Sequence, residues 1–223
     1  MTASWTADAV YAGALRELED DGAPTGIYKT PVAGPVHLGR EGLAGDVQAD
    51  RRHHGGPERA LNHYPADHYP GWRERFPDRA GAFGPGVLGE NLSTHGLTET
   101  DVRVGDVFRL GGAVIQVSQP RNPCWKIGRR LGLRELPRAV VETGRSGWLY
   151  RVLAPGDIAP GDALTLETPA PHGITLARLW AVQGRHRPDA EARETLAELA
   201  ALPELAPVWR QRFASRLEWL LRN

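Results

Sequence analysis

The chain is short of several things, and each shortage narrows what it can do. One of its 223 residues is a cysteine, Cys124. No internal disulfide can form, so that residue works as a thiol or thiolate, and a lone free cysteine fits a reducing cytosol better than a secreted setting. Lysine is nearly missing: Lys29 and Lys126 stand against 25 arginines among the 27 basic residues. Genomic base composition alone can produce that ratio, and no function is read from it. Net charge is also missing, because 27 acidic residues balance the 27 basic ones. No global field therefore draws the molecule to nucleic acid or an anionic membrane, and any anion site must be local. Residues 1–21 lack the basic and apolar segments of a signal peptide, and no run is apolar enough to span a bilayer, so a cytoplasmic location is expected. Walker lysine pattern, Gly-x-Ser-x-Gly elbow and dinucleotide fingerprint are all lacking. That argues against nucleotide hydrolysis, serine hydrolysis and a flavin or nicotinamide held by this chain.

What is present is a chain of ordinary globular composition, long enough for one large domain with a small appendage. Gly and Pro punctuate residues 22–173 every few positions. Val107-Phe108-Arg109-Leu110 and Val114-Ile115-Gln116-Val117, joined across Gly111-Gly112, read as a hairpin. Similar strands are expected at Val10–Leu15, Gly26–Thr30, Val36–Leu38, Ala60–His63, Trp148–Leu153 and Ala163–Leu166. The aspartates of Gly45-Asp46, Gly105-Asp106, Gly156-Asp157 and Gly161-Asp162 read as turn formers. Many short strands with regular turns predict a mainly β fold, a barrel or sandwich. Two helical insertions are expected, Pro65–Phe76 distorted at Pro70, and Leu131–Glu142 broken at Pro137. After Pro169-Ala170-Pro171-His172-Gly173 the strand signals stop, and three helices follow at Ile174–Val182, Asp189–Ala201 and Pro207–Leu221. The boundary divides a domain at 1–168 from a helical one at 172–223, whose core is too small to stand alone and is expected to pack on the first.

Three clusters can carry chemistry. Cys124 follows Pro120-Arg121-Asn122-Pro123, with Lys126, Arg129, Arg130 and Arg134 close behind. Prolines stiffen this loop, and nearby positive charge favours the thiolate, the form that attacks electrophiles and binds metals. An inert cysteine packed like a small hydrophobe is the alternative. The second cluster runs from Gly45 to Arg59 and includes His53-His54-Gly55-Gly56, whose glycine amides can cradle an anion. Zinc is a weak reading, because neither His53-His54 nor His63 with His68 has the usual ligand spacing. The third is Glu90-Asn91 after a Gly-rich turn, able to hydrogen-bond the edge of a heterocycle or simply to serve the backbone.

Five motifs in order resemble a MOSC domain: Gly45-Asp46 with His54-Gly55-Gly56-Pro57, Gly89-Glu90-Asn91-Leu92-Ser93-Thr94 with Gly96-Leu97-Thr98, Val104-Gly105-Asp106, Gln116 through Cys124, and Thr143-Gly144 with Gly147-Trp148-Leu149-Tyr150. The resemblance covers residues 8–168, is strongest to the YiiM-type branch linked to resistance against 6-hydroxylaminopurine, and extends to that branch's three-helix C-terminal domain. It implies a β-barrel with helical insertions that binds the molybdenum cofactor, a molybdopterin holding molybdenum. It further implies a reductase converting N-hydroxylated bases or related compounds to amines and so detoxifying base analogues, with a flavoprotein reductase as electron donor. By position, Cys124 would be the catalytic molybdenum ligand. Asn91 with Glu90 would help bind the pterin, and His54, Gly55 and Gly56 would line the same pocket. Arg121 and Lys126 are assigned to the cofactor phosphate on charge and proximity.

Two other readings stay open. Cys124 could carry sulfur as a persulfide, or the protein could store or deliver the cofactor. The Arg-rich last helix and the basic 126–134 stretch could grip nucleic acid, against which the zero net charge speaks. Neither nucleic acid nor a membrane is expected as a partner.

Overall fold

The computed structural model describes residues 3–222. Its strands, in chain order, are β1 Ser4–Thr6, β2 Ala9–Ala12, β3 Arg16–Glu17, β4 Pro24–Thr25, β5 Thr30–Pro31, β6 Val36–Gly39, β7 Gly42–Leu43, β8 Leu61–Pro65, β9 Leu92–Thr94, β10 Val107–Leu110, β11 Ala113–Pro120, β12 Trp148–Ala154, β13 Gly156–Ile158 and β14 Ala163–Thr168. The helices are α1 Arg51–His54, α2 His68–Arg75, α3 Trp125–Leu131, α4 Leu136–Thr143, α5 Leu176–Gly184, α6 Ala190–Ala201 and α7 Pro207–Arg222.

One nine-stranded sheet dominates, in the order β1-β14-β10-β11-β12-β8-β9-β2-β5. Its pairs are antiparallel except β8 with β9. Small sheets β13-β6-β7 and β3-β4 lie outside it. Among the described residues no ladder joins the edge strands β1 and β5, so the closed barrel expected from the sequence is not found. The chain is a sheet-rich fold with helices on it. The β10–β11 hairpin turns at Gly111-Gly112 with Leu110 opposite Ala113, as the β-branched runs predict. Along β11, Ala113, Ile115 and Val117 are buried while Val114 and Gln116 are half-buried, the two-residue period of a half-covered strand. From Val117 to Pro120 every residue is buried.

Several predicted elements differ from those found. Gly26–Thr30 is not one strand: β4 ends at Thr25 and β5 starts at Thr30, and Gly26, Ile27 and Lys29 between them line a cavity. Pro65 ends β8 instead of opening a helix, and α2 begins at His68. Pro70 then falls in the first turn, where an amide has no helical partner to lose, so α2 is not broken. Leu131–Glu142 spans the last residue of α3 and most of α4. Gly132, left-handed at φ 66°, closes α3, and Pro137 sits near the start of α4, not at a break.

The three C-terminal helices form as predicted within a residue or two. Thr175 caps α5 by accepting from Arg178 N at 3.2 Å, and Asp189 caps α6 by accepting from Ala192 N at 2.9 Å. One hydrophobic cluster joins the sheet (Phe108, Ile115, Trp148, Tyr150) to these helices (Leu179, Trp180, Leu196, Trp209, Phe213). A second gathers Tyr64, Tyr69, Trp72, Ile127, Leu136 and Val140 under α2, α3 and α4.

Candidate functional site

Where the two clusters approach, a cavity of about 650 Å³ opens. Its base comes from the sheet: Asn62 of β8, Gln119 of β11 and Leu149 of β12. Around it stand Thr25–Ile27 and Lys29, residues 47–50 with His53 and His54, Leu88, Gly89, Asn91, the Arg121–Lys126 loop, and Val208, Trp209 and Arg212 of α7.

Cys124 enters by a short route. β11 ends at Pro120, Arg121 N bonds Gly147 O at 3.0 Å, and Cys124 stands just before α3 in extended backbone. Ile127 and Leu131 of α3 are buried in the second cluster, which anchors the loop carrying the half-exposed thiol.

Beside it the cavity has a polar floor. Lys29 Nζ is 2.8 Å from Asp46 Oδ2, both side chains nearly inaccessible. Burial lowers the Lys29 pKa, and the Asp46 charge opposes that shift. Asp46 also accepts from Gly13 N at 2.9 Å and Gln48 Nε2 at 3.2 Å. Asn91 Nδ2 donates to Asp46 Oδ2 at 3.0 Å and Tyr11 O at 3.1 Å, while Asn91 Oδ1 accepts from Asn62 N at 3.2 Å. Two of the lining residues carry a buried amide oxygen, Asn62 Oδ1 and Gln119 Oε1, with no hydrogen-bond partner among the described residues of the protein. Such acceptors are costly to bury unless something donates to them.

The walls are cationic. Arg59, Arg121, Lys126 and Arg212 line the cavity, and among the described residues none forms a salt bridge with a carboxylate. Arg121 donates to Leu88 O, Lys126 Nζ to Pro24 O at 2.6 Å, and Arg59 Nη1 to Arg52 O at 3.3 Å. Asp50 is the carboxylate on the rim, held by His53 Nδ1 at 2.9 Å and Arg52 N at 3.0 Å. His54 stands at the exposed rim, its pKa pushed down by desolvation and then by the Lys126 and Arg121 charges.

Of the residues singled out from sequence, Cys124, His54, Asn91, Arg121 and Lys126 come together on this cavity. Glu90, Gly55 and Gly56 are not among its lining residues. Glu90 is fully buried behind it, where Oε1 accepts from the Tyr69 hydroxyl and from Gly86 N at 2.5 Å, and Oε2 has no partner. Burial and then the Glu90 charge raise the Tyr69 pKa. The histidines are dispersed. His63 lies between Tyr150 Oη and Thr94 Oγ1, and His68 bonds Glu99 at 2.7 Å. Among the described residues no group of three or more His, Cys, Asp or Glu is placed to hold a metal ion.

Sequence reading missed Lys29, Asn62, Gln119 and the α7 residues, and took Asp46 for a turn former. One signal was available: both lysines of an arginine-dominated chain line this cavity. Gln119 lies within the Gln116–Cys124 motif but was given no role, and nothing local marks Asn62; both reach the site through strand pairing.

Comparison with known proteins shows the family. A family model described as "MOSC domain" matches residues 50–165. Protein YiiM of Escherichia coli (strain K12) is 46% identical over 157 residues, 70% of each chain. A protein of Gibberella moniliformis named a reductase is 37% identical over 179 residues, 79% of this chain and 31% of that protein. The crystal structure of YiiM from Geobacillus stearothermophilus superposes with a TM-score of 0.78 at 34% identity, covering 96% of this chain and 99% of that one.

Proposed function

The chain belongs to the MOSC domain family, in the branch that includes YiiM, and on that footing we propose that it is a molybdenum-cofactor-dependent reductase of N-hydroxylated bases and related compounds. The observation that carries the reading is the company Cys124 keeps. The chain's single thiol shares a cavity with four cations lacking carboxylate partners and two buried amide oxygens lacking donors. A molybdopterin fits that set: an anionic phosphate for the cations, ring N–H groups for the amide oxygens, and a soft metal for the thiolate. A single protein ligand suffices where the cofactor's own sulfurs supply others. The reductase name of the fungal relative supports an oxidoreductase.

In this reading Cys124 would ligate molybdenum, Arg121 and Lys126 from the same loop would hold the phosphate, and Asn62 and Gln119 would accept from the pterin. Asn91 and Asp46 set the floor rather than touching the ring face, because their polar atoms are bonded within the protein. His54 closes the rim with Gly55-Gly56 behind it, and Glu90 supports the floor from below. When bound, the cofactor supplies two electrons to the N–O bond: R–NH–OH, two electrons and two protons give R–NH2 and water. The electrons come from a separate flavoprotein reductase, and the chain's part is binding, orientation and exclusion of water.

The test is purification from a cofactor-competent host, metal analysis, and an assay of 6-hydroxylaminopurine with a chemical reductant. Near-stoichiometric molybdenum and turnover, both lost in Cys124→Ser, are expected. Full activity without Cys124 would overturn its role, and bound cofactor with no turnover on any N-hydroxylated compound would favour storage or delivery.

A further inference from the structure

The cavity's cations fall on two different walls. Arg121 and Lys126 flank Cys124 on one loop, whereas Arg212 comes from α7 and Arg59 from the segment after α1. This second wall is firmly built. Arg151 of β12 grips Glu58, next to Arg59, with Nε–Oε1 and Nε–Oε2 distances of 3.2 and 3.1 Å, and its Nη2 donates to Glu204 O at 2.7 Å, just ahead of α7. Ala206 N bonds Ser118 O at 2.9 Å, and Ser118 Oγ donates to Glu58 O at 2.7 Å. The start of α7 and the Arg59 segment are thus held by one set of bonds. On α7, the Arg212 guanidinium lies over the Trp209 ring at 4.5 Å, and Trp209 itself is buried against Trp180 and Phe213. An arginine stacked on a fixed indole keeps its edge N–H groups free for a planar, two-point contact with an anion. Arg59 is part-buried and forms no salt bridge among the described residues; desolvation lowers its pKa, the neighbouring Glu58 charge opposes that only in part, and an anionic ligand would offset the rest.

The cofactor reading uses one phosphate and assigns it to the Cys124 loop. We propose that Arg212, with Arg59, forms a second anion subsite that takes the phosphate of the substrate, so that the preferred substrate is the nucleoside monophosphate of an N-hydroxylated base and not the free base. The proposal rests on the reductase reading and narrows its substrate class. In it, α7 is a specificity element, and the two C-terminal helices before it hold that element against the sheet.

Binding and turnover test it separately. Titration calorimetry of the purified protein with adenosine 5′-monophosphate and with adenosine reads the subsite without chemistry. The nucleotide is expected to bind about tenfold or more tightly, with the preference falling as salt rises. Arg212→Gln should abolish the preference and Arg212→Lys should keep part of it, at unchanged melting temperature, whereas Arg121→Gln should leave it in place. Equal binding of nucleoside and nucleotide, or a preference that survives Arg212→Gln, overturns the proposal. With cofactor-loaded enzyme, the N-hydroxylated nucleotide should show the higher kcat/KM, lost in Arg212→Gln through KM. Equal kcat/KM for base and nucleotide overturns the proposal while the reductase reading stands. Nucleotide-selective binding with no reduction of either compound sinks the reductase reading and upholds the subsite.

Discussion

The carboxamide of Asn91 is fully engaged, joining Tyr11 of β2, Asn62 of β8 and the buried Asp46. Removing it strands an acceptor, a donor and part of a buried ion pair's shell. Asn91→Ala should therefore lower stability by about 2 kcal/mol or more, read as the urea midpoint, against less than about 0.5 kcal/mol for the exposed Asn122→Ala. Molybdenum content should fall with it. His63 makes a pH prediction. Its ring is wholly buried, and desolvation pushes its pKa from 6.5 down to about 3. Between those values the unfolded chain holds a proton that the native state refuses. The contribution is complete above the unfolded pKa and is lost as pH falls through the window, by up to about 1.4 kcal/mol per unit. Urea midpoints between pH 7 and pH 4 should follow that slope, and His63→Gln should flatten it. An unchanged slope in the variant would assign the acid loss to other groups.

At the level of elements, the Thr143–Trp148 loop between α4 and β12 matters more than its lack of regular structure suggests. Gly147 holds φ 68°, and a Cβ there would stand 2.2 Å from His63 O on the neighbouring β8. Its carbonyl accepts from Arg121 N, and its amide donates to Glu99 Oε1 at 2.6 Å, so the loop ties the start of the Cys124 segment to buried Glu99. Gly147→Ala should destabilise by well over about 1 kcal/mol, since left-handed strain and a backbone clash act together. The thiol should also become more reactive to a maleimide probe as its loop loosens. Normal stability and unchanged labelling would show that β8 and the loop yield more than their packing implies.

Over the whole molecule, the sheet and the C-terminal helices share one apolar interior. Trp180, Leu196, Leu199, Trp209 and Phe213 belong to the same cluster as Phe108, Ile115 and Trp148. Each buried side chain of this size contributes about 1.5–3 kcal/mol, and several are lost together if the helices go. We expect a 1–168 fragment to lose cooperative thermal unfolding and near-ultraviolet circular dichroism while keeping β-type far-ultraviolet signal. A sharply melting fragment would show that the sheet region holds its own core. No helix among the described residues is long and apolar enough to cross a membrane.

Local chemistry was legible without coordinates: the β10–β11 hairpin, the spans of α5 and α6, and the motifs that mark the family and single out Cys124. These depend on residues a few positions apart, where turn chemistry and side-chain period act directly. Strand order, the lack of a closing ladder among the described residues, and the partners of Asp46, Asn62, Gln119, Trp209 and Arg212 depend on contacts between distant segments. Asn62 and Asn91 are 29 positions apart, and Glu58 and Arg151 are 93 apart. No local pattern encodes such a pairing, because register and helix docking are settled by which buried surfaces fit together. Sequence alone marked the thiol; the tertiary structure placed a positively charged wall from the last helix in the same cavity.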